Sequence, residues 1–187
     1  EDIQVLTPMK TGLLGVYNLN ESLQALLTPL EPPKKELHFR SHIFREGDKV
    51  MQVKNNYEKE VFNGDLGRIT KIDEEGRVLV TFADAWQERE IVYQVQEMEE
   101  LSLAYAISVH KSQGSEFPIV IMPITTQHYV MLQRNLLYTA VTRAKKLMVL
   151  VGTKEALTIA IQNNKSLRRY GHLRDRLVQE FSQAISI

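Results

Sequence analysis

Three short apolar stretches in the second half of the chain constrain its fold more than any other feature. Residues 103–109, 117–124 and 147–151 are nearly continuous apolar runs. Strands that are buried on both faces of a parallel sheet have this composition, whereas half-exposed strands alternate. Helical spacing follows the second and third runs, in the set Leu132, Leu136, Leu137, Ala140 and Val141 and in the set Ala156, Leu157, Ala160 and Ile161. This alternation predicts an α/β fold, with a parallel sheet flanked by helices.

The two ends of the chain supply further elements of the same kind. Ile3–Thr7 is predicted to be a strand that Pro8 closes. Asn18 followed by Glu21 resembles a capping box and predicts a helix through Leu27. This helix would carry one apolar face, formed by Leu19, Leu23, Leu26 and Leu27. Thr153 is predicted to cap the helix after the third apolar run, and a last helix is expected over residues 172–184.

The middle of the chain has a different sequence pattern. Residues 31–36 (EPPKKE) have the composition of a linker. Short strands are predicted over the ranges 50–53, 66–72, 78–82 and 90–93, separated by the turn signals Gly47-Asp48, Asn63-Gly64-Asp65 and Glu75-Gly76. Several short strands with tight turns favour a small barrel. We therefore predict a barrel over residues 38–100, inserted into a domain made of residues 1–37 and 101–187.

The bulk composition excludes some classes of function. Lys plus Arg and Asp plus Glu both number 23, so no global basic field is available for non-specific nucleic-acid binding. There is no cysteine and no apolar run of the ~20 residues that a membrane span needs, and no signal peptide is recognisable, which fits a cytoplasmic protein. The five histidines are scattered without ligand spacing, so no metal site is predicted. The start, without methionine and directly on a strand, is typical of a fragment.

Two sequence segments contain the candidate functional residues. In LAYAISVHKSQGSEFP, which begins at Leu103, a predicted strand stops at the polar loop His110–Glu116. In LLYTAVTRAK, residues 136–145, Arg143 ends a predicted helix just before a strand. Open α/β sheets bind ligands at the carboxyl ends of their strands, and arginine neutralises transition-state charge in phosphoryl transfer. Without further context, a cationic helix end and a polar loop that only caps the next strand remain alternatives.

These strings, in this order and spacing, resemble motifs V and VI of superfamily 1 helicases, in particular of the RecD/TraA type. The resemblance implies that the chain is the second RecA-like motor domain, with an inserted SH3-like barrel, of an ATP-dependent 5′–3′ DNA helicase. Its ligands would be ATP, Mg²⁺ and single-stranded DNA. The chain contains no GxxxxGK[ST] phosphate loop. ATP and Mg²⁺ would therefore be bound mainly by the first motor domain of a longer protein, and the 187-residue chain alone would be inactive.

The resemblance also implies a role for individual residues. Arg143 would act on the γ-phosphate as the catalytic arginine, and Glu116 would accept a hydrogen bond from the ribose. Gly114 would allow a close approach of the backbone to the nucleotide, and Tyr138 would face the nucleotide cleft. The residues implied in DNA binding are Ser108, His110, Lys111, Gln113, Lys10 and Gln24.

Two other functions stay open from the sequence. The same motor domain could belong to a conjugative relaxase-helicase or to the RecD subunit of a nuclease complex. A non-enzymatic nucleic-acid-binding module built on the barrel is the alternative from a different class. For that module, Tyr57 and Trp86 would stack bases beside the barrel's cations Lys49, Lys54, Lys59, Arg68, Lys71 and Arg77. A C-terminal basic cluster is expected to be a solvated helix face; it comprises Lys165, Arg168, Arg169, Arg174 and Arg176.

Overall fold

A computed structural model describes residues 3–32, 34–83, 88–164 and 176–178 of the chain. The predicted helix over 172–184 lies mostly outside these residues, as do Trp86, Lys165, Arg168, Arg169 and Arg174. Within the described residues, no helix is long and apolar enough to cross a membrane.

A four-stranded parallel sheet forms one half of the molecule. Its strands lie in the order β11-β10-β1-β9, with β1 at Ile3–Thr7, β9 at Ala106–Ser108, β10 at Phe117–Ile124 and β11 at Ala144–Gly152. The helices are α1, Val16–Leu27; α2, Arg134–Val141; and α3, Lys154–Gln162. The parallel sheet with helices confirms the predicted α/β class. Thr153 caps α3 as predicted, because its hydroxyl accepts a hydrogen bond from the Ala156 N–H at 3.2 Å.

A five-stranded antiparallel sheet forms the other half, in the order β7-β6-β5-β4-β8. Its strands are β4, Lys49–Gln52; β5, Leu66–Ile72; β6, Val78–Ala83; β7, Glu88–Tyr93; and β8, Leu101–Leu103. The hairpin of β2, Glu36–Phe39, and β3, His42–Arg45, packs Phe44 into the same core as the sheet residues Ile69, Val80 and Tyr93. We call the part from β2 to β8 the antiparallel unit. The hairpin was not predicted, because its alternation is short and its start overlaps the linker-like EPPKKE stretch.

The prediction of one continuous strand over 103–109 is wrong. Residues up to Leu103 pair with β4 in the antiparallel sheet, whereas Ala106–Ser108 pair with β1 in the parallel sheet. The chain crosses between the sheets at Ala104 and Tyr105. The sequence does not reveal this crossing, because the apolar run continues through it.

The division into residues 1–37 with 101–187 and an inserted 38–100 remains a proposal. The pairing of β8 with β4 and the packing of Leu37 against the antiparallel core favour placing its boundaries near Glu36 and Leu103. Leu37 and Leu101 pack into the same hydrophobic cluster, as the two flanks of an insertion should.

Helix α1 differs from the prediction at its start and in the face that it buries. Gly15 is the N-cap, and Asn18 lies inside the helix, where its side chain donates to the Leu13 carbonyl at 2.7 Å. The predicted leucine face is largely turned outward, since Leu26 is 74% exposed. The buried residues are instead Asn20 and Gln24. The reason is that α1 packs on a junction of backbone and carboxylate groups that needs hydrogen-bonding partners rather than apolar ones.

Polar side chains join the two halves of the molecule. The amide of Asn20 makes both hydrogen bonds to the backbone of Ala106, with its Nδ2 donating at 2.8 Å and its Oδ1 accepting at 2.9 Å. The fully buried Asp48 accepts hydrogen bonds from the Gln24 Nε2 at 2.6 Å, the Arg45 N–H at 2.7 Å and the Tyr105 hydroxyl at 2.9 Å. This network fixes the antiparallel unit against α1 and against the crossing at Tyr105.

Candidate nucleotide and nucleic-acid sites

The register of the parallel sheet separates the predicted site residues into two groups. Thr7 pairs with Ser108 at the carboxyl end of β1 and β9, and Lys10 and Lys111 follow these two strands. Phe117 pairs with Ala144 at the amino ends of β10 and β11. The segment 109–116 therefore runs from the carboxyl edge of the sheet, where the carboxyl ends of the strands lie, to the amino edge, where their amino ends lie. Ser108 and Glu116, which stand at its two ends, lie at opposite edges.

The position of Arg143 corrects one expectation. An arginine aimed at the carboxyl ends of the strands was expected, but Arg143 lies at the amino edge, immediately before β11. Its Nε donates to the Thr139 carbonyl at 3.2 Å and its Nη1 donates to the Ser115 carbonyl at 3.0 Å. The Arg143 carbonyl accepts from the Phe117 N–H at 2.8 Å. Arg143 thus links the end of α2 to the end of the 109–116 loop.

The other residues predicted at the nucleotide differ from Arg143 in environment. Glu116 is exposed and forms an ion pair with Lys145, with Oε2 to Nζ at 3.1 Å. Since both side chains are more than half exposed, such a pair is worth only about 0–1 kcal/mol, so a ligand can replace it. Gly114 has a φ of +88° with open space where a Cβ would stand, a conformation that suits glycine. Tyr138 is 69% exposed on α2.

The opposite edge holds a cavity of about 170 Å³ that the two halves of the molecule share. From the parallel half it is lined by Lys10, Tyr17, Ser108 and Lys111. From the antiparallel unit it is lined by Met51, Val53 and Leu103, among others. Three of the residues predicted to bind DNA are therefore brought together. Tyr17 and the apolar side were missed, because no motif in the sequence marks them.

Two lysines, Lys10 and Lys111, meet at this cavity. Burial lowers the pKa of Lys111, and the positive charge of Lys10 lowers it further. Among the described residues, neither ammonium group has a carboxylate within ion-pair distance. Ser108 caps the short 3₁₀ helix Val109–Ser112 by accepting from the Lys111 N–H at 3.3 Å, which fixes Lys111 relative to β9. Like charges held together without a counterion favour an anionic ligand.

The remaining predicted DNA contacts lie elsewhere. His110 and Gln113 line a separate cavity of about 190 Å³ against α2, together with Leu136 and Thr139. Gln24 is buried, and its Nε2 donates to Asp48 and to the Ile43 carbonyl at 2.9 Å. A buried amide with both N–H donors used inside the protein has no donor left for a DNA phosphate. The prediction that Gln24 contacts DNA is therefore wrong.

Among the described residues, no cluster of three or more histidine and acidic side chains has the geometry to hold a metal ion. Tyr57 is 75% exposed and packs edge-on against Phe62, with the ring centroids 6.0 Å apart.

Comparisons with known proteins identify both halves of the chain. Residues 19–82 match the family model described as the ATP-dependent RecD-like DNA helicase SH3 domain, and residues 103–151 match the UvrD-like helicase C-terminal domain. The chain is 39% identical over 166 residues to the ATP-dependent RecD2 DNA helicase of Deinococcus radiodurans, which covers 89% of this chain and 22% of that protein. It is 29% identical over 161 residues to the RecBCD enzyme subunit RecD of Haemophilus influenzae, covering 86% of this chain and 23% of that subunit.

Solved structures show the same fold at lower identity. Bacteroides Pif1 bound to single-stranded DNA superposes with a TM-score of 0.60 at 18% identity, over 97% of this chain and 45% of that one. Pif1 helicase from Candida albicans gives a TM-score of 0.58 at 16% identity, over 100% of this chain and 50% of that one. The chain spans about a fifth to a quarter of the length of the RecD relatives above. With its SH3 domain and its helicase C-terminal domain, the chain belongs to the RecD-type superfamily 1 helicases.

Proposed function

We propose that this chain is the second motor domain of an ATP-dependent 5′–3′ DNA helicase. The rest of that helicase would include the first motor domain with the phosphate loop. In this proposal ATP and Mg²⁺ are held mainly by the first domain, against the amino edge of the parallel sheet, and Arg143 acts on the γ-phosphate. Single-stranded DNA follows the opposite edge. The observation that carries the proposal is the separation of Arg143 and Glu116 from Lys10, Ser108 and Lys111 across one sheet.

The arrangement of each edge supports its proposed ligand. At the amino edge, Arg143 follows α2 directly and is held by two backbone carbonyls, so its guanidinium is positioned before any ligand arrives. A preorganised arginine stabilises charge that develops in the transition state. The ammonium groups at the carboxyl edge are suited to phosphates, and Ser108, the last residue of β9, lines the same cavity. Closure of two motor domains on ATP would move one edge, and the rigid sheet would carry that movement to the other.

The sharpest test of the DNA part uses the 187-residue chain and a labelled oligothymidylate in fluorescence anisotropy. Lys111→Gln should weaken binding and reduce the slope of log K against log salt concentration by about 0.7, the value for one lost phosphate contact on a single strand. Lys34→Gln is a matched control, since Lys34 is exposed and lies outside the cavity. An unchanged slope in Lys111→Gln would contradict the proposed DNA track.

The nucleotide part has a separate test. The 187-residue chain should have no DNA-stimulated ATPase activity, because the sequence contains no phosphate loop. Turnover at a rate typical of helicases, on the order of 1–100 s⁻¹ as in other phosphoryl-transfer enzymes, would contradict the proposed division of labour.

The second candidate is the RecD subunit of a nuclease complex, since the relatives of this chain include proteins of that name. We give preference to a RecD2-like helicase because the identity to the RecD2 helicase, 39%, exceeds the 29% identity to the Haemophilus subunit.

A further inference from the structure

We infer that the cavity between Lys10, Tyr17 and Lys111 on one side and the antiparallel unit on the other is a nucleobase pocket. The parallel half binds the phosphates of a single nucleic-acid strand, and the antiparallel unit receives one of its unstacked bases. This inference rests on the proposed function and deepens it. The pocket would select single-stranded nucleic acid because a base can enter it only when it has left its stack.

The cavity has the size and the polarity for one base. Its volume of about 170 Å³ is smaller than the ~300–1,000 Å³ of sites for drug-sized ligands. Its two lysines lie on the side of the parallel half, whereas Met51, Val53 and Leu103 line the side of the antiparallel unit. A nucleotide has the same division, with a charged phosphate at one end and a flat, largely apolar ring face at the other. A free phosphate ion would use only the lysines and would leave the apolar side without a function.

Tyr17 supplies a face on which a base can stack. Tyr17 is 51% exposed, lines the cavity and has no hydrogen-bond partner for its hydroxyl among the described residues. The Tyr17 N–H donates to the Lys10 carbonyl at 3.1 Å, and the Val16 N–H donates to the Met9 carbonyl at 3.0 Å. These two bonds fix the backbone of Tyr17 relative to that of Lys10. A base on Tyr17 and its phosphate on Lys10 would therefore bind to one preformed element.

The apolar side of the cavity is rigid as well. Met51 pairs with Ser102 between β4 and β8, and the Val53 N–H donates to the Glu100 carbonyl at 2.7 Å. Asp48 lies at the start of β4 and holds this strand to α1 through Gln24. The distance between the apolar side and Tyr17 is thus set by buried hydrogen bonds. Preorganisation of this kind lowers the entropy cost of binding.

The test compares two oligonucleotides of equal length and charge on the 187-residue chain. One is an oligothymidylate and the other has the same sugar–phosphate backbone with every base replaced by an abasic site. Tyr17→Ala should weaken binding of the oligothymidylate about 5- to 150-fold, the loss that corresponds to ~1–3 kcal/mol of base stacking. It should leave the affinity for the abasic strand and the salt slope unchanged. Tyr129→Ala is the matched control, because Tyr129 is also an exposed tyrosine, at 64%, and does not line the cavity.

A second variant approaches the pocket from the other side. Val53→Phe should fill the cavity and lower the affinity for the oligothymidylate but not for the abasic strand, while Tyr17→Phe should bind both as the wild type does. Equal loss of both strands in Tyr17→Ala, or loss of neither, would overturn the nucleobase pocket. In that event a reduced salt slope in Lys111→Gln would still support the phosphate track, so the two proposals can fail separately.

Discussion

Truncation of Asp48 should be among the most damaging single changes in the protein. Its carboxylate has no exposed surface and accepts three hydrogen bonds, from Gln24, the Arg45 backbone and Tyr105. Asp48→Ala leaves the Gln24 amide and the Arg45 N–H each with a donor that lacks an acceptor, at ~1–3 kcal/mol each, whereas the Tyr105 hydroxyl can donate to Thr28 instead. The gain from no longer burying a carboxylate offsets part of this cost. We expect the free energy of unfolding to fall by about 2–5 kcal/mol, in line with the loss of one partner from a buried charged network.

Asp48→Asn is the matched variant, and the structure gives a reason for its smaller effect. The Asn oxygen can take the place of Oδ2, which accepts from Gln24 and from the Arg45 N–H. The Asn amino group would then face the Tyr105 hydroxyl, which can accept from it and donate to the Thr28 hydroxyl, with which it is already in contact. All donors keep a partner, so the loss should be about 1 kcal/mol or less.

The two variants also predict a difference in pH dependence. Burial raises the pKa of Asp48 above its ordinary value, despite the hydrogen bonds that oppose this. Between the unfolded and the folded pKa the native state therefore holds more protons at this site, and its contribution to stability falls as pH rises through that interval. The wild type should lose stability relative to Asp48→Asn as pH rises from about 3.5 towards neutral.

Urea unfolding followed by fluorescence and circular dichroism measures both effects. The reasoning would be refuted if Asp48→Ala were no less stable than Asp48→Asn, because the cost would then not come from orphaned donors. It would also be refuted if the stability difference between the wild type and Asp48→Asn were independent of pH.

Three further changes have defined outcomes. Arg143→Ala in the full-length helicase should reduce unwinding and ATP turnover by about 10³–10⁵ with nearly unchanged nucleotide affinity; equal losses of both in nucleotide-binding and turnover assays would point to a purely structural role. Thr153→Ala should lower stability by about 1 kcal/mol in urea unfolding through loss of the α3 cap, whereas the mid-helix Thr158→Ala should cost less. Gly67→Ala would place a Cβ 2.8 Å from Val80 Cγ1 in the antiparallel core, so it should cost about 1–3 kcal/mol, and a neutral result would mean that the core can shift.

Local patterns in the sequence determined the elements and the family. The apolar runs predicted β10 and β11, the cap at Thr153 predicted α3, and the turn signals predicted β5 and β6 closely, because each depends on neighbours within a few residues. The strings around Arg143 and the 110–116 loop identified the helicase family, since a motif records chemistry directly. Sequence reasoning also proposed Lys10, Ser108 and Lys111 as DNA contacts, and these three residues line one cavity.

Tertiary structure alone decided how these pieces meet. The crossing at Tyr105, the polar face that α1 buries and the burial of Gln24 all depend on contacts between residues that are far apart in the chain, such as Asn20 with Ala106 and Gln24 with Asp48. The opposite edges occupied by Arg143 and Ser108 follow from strand register, which no local pattern records. The apolar side of the cavity comes from the antiparallel unit, and the lysines come from the parallel half. Periodicity specifies which face of an element is apolar, but only packing decides which surface that face meets.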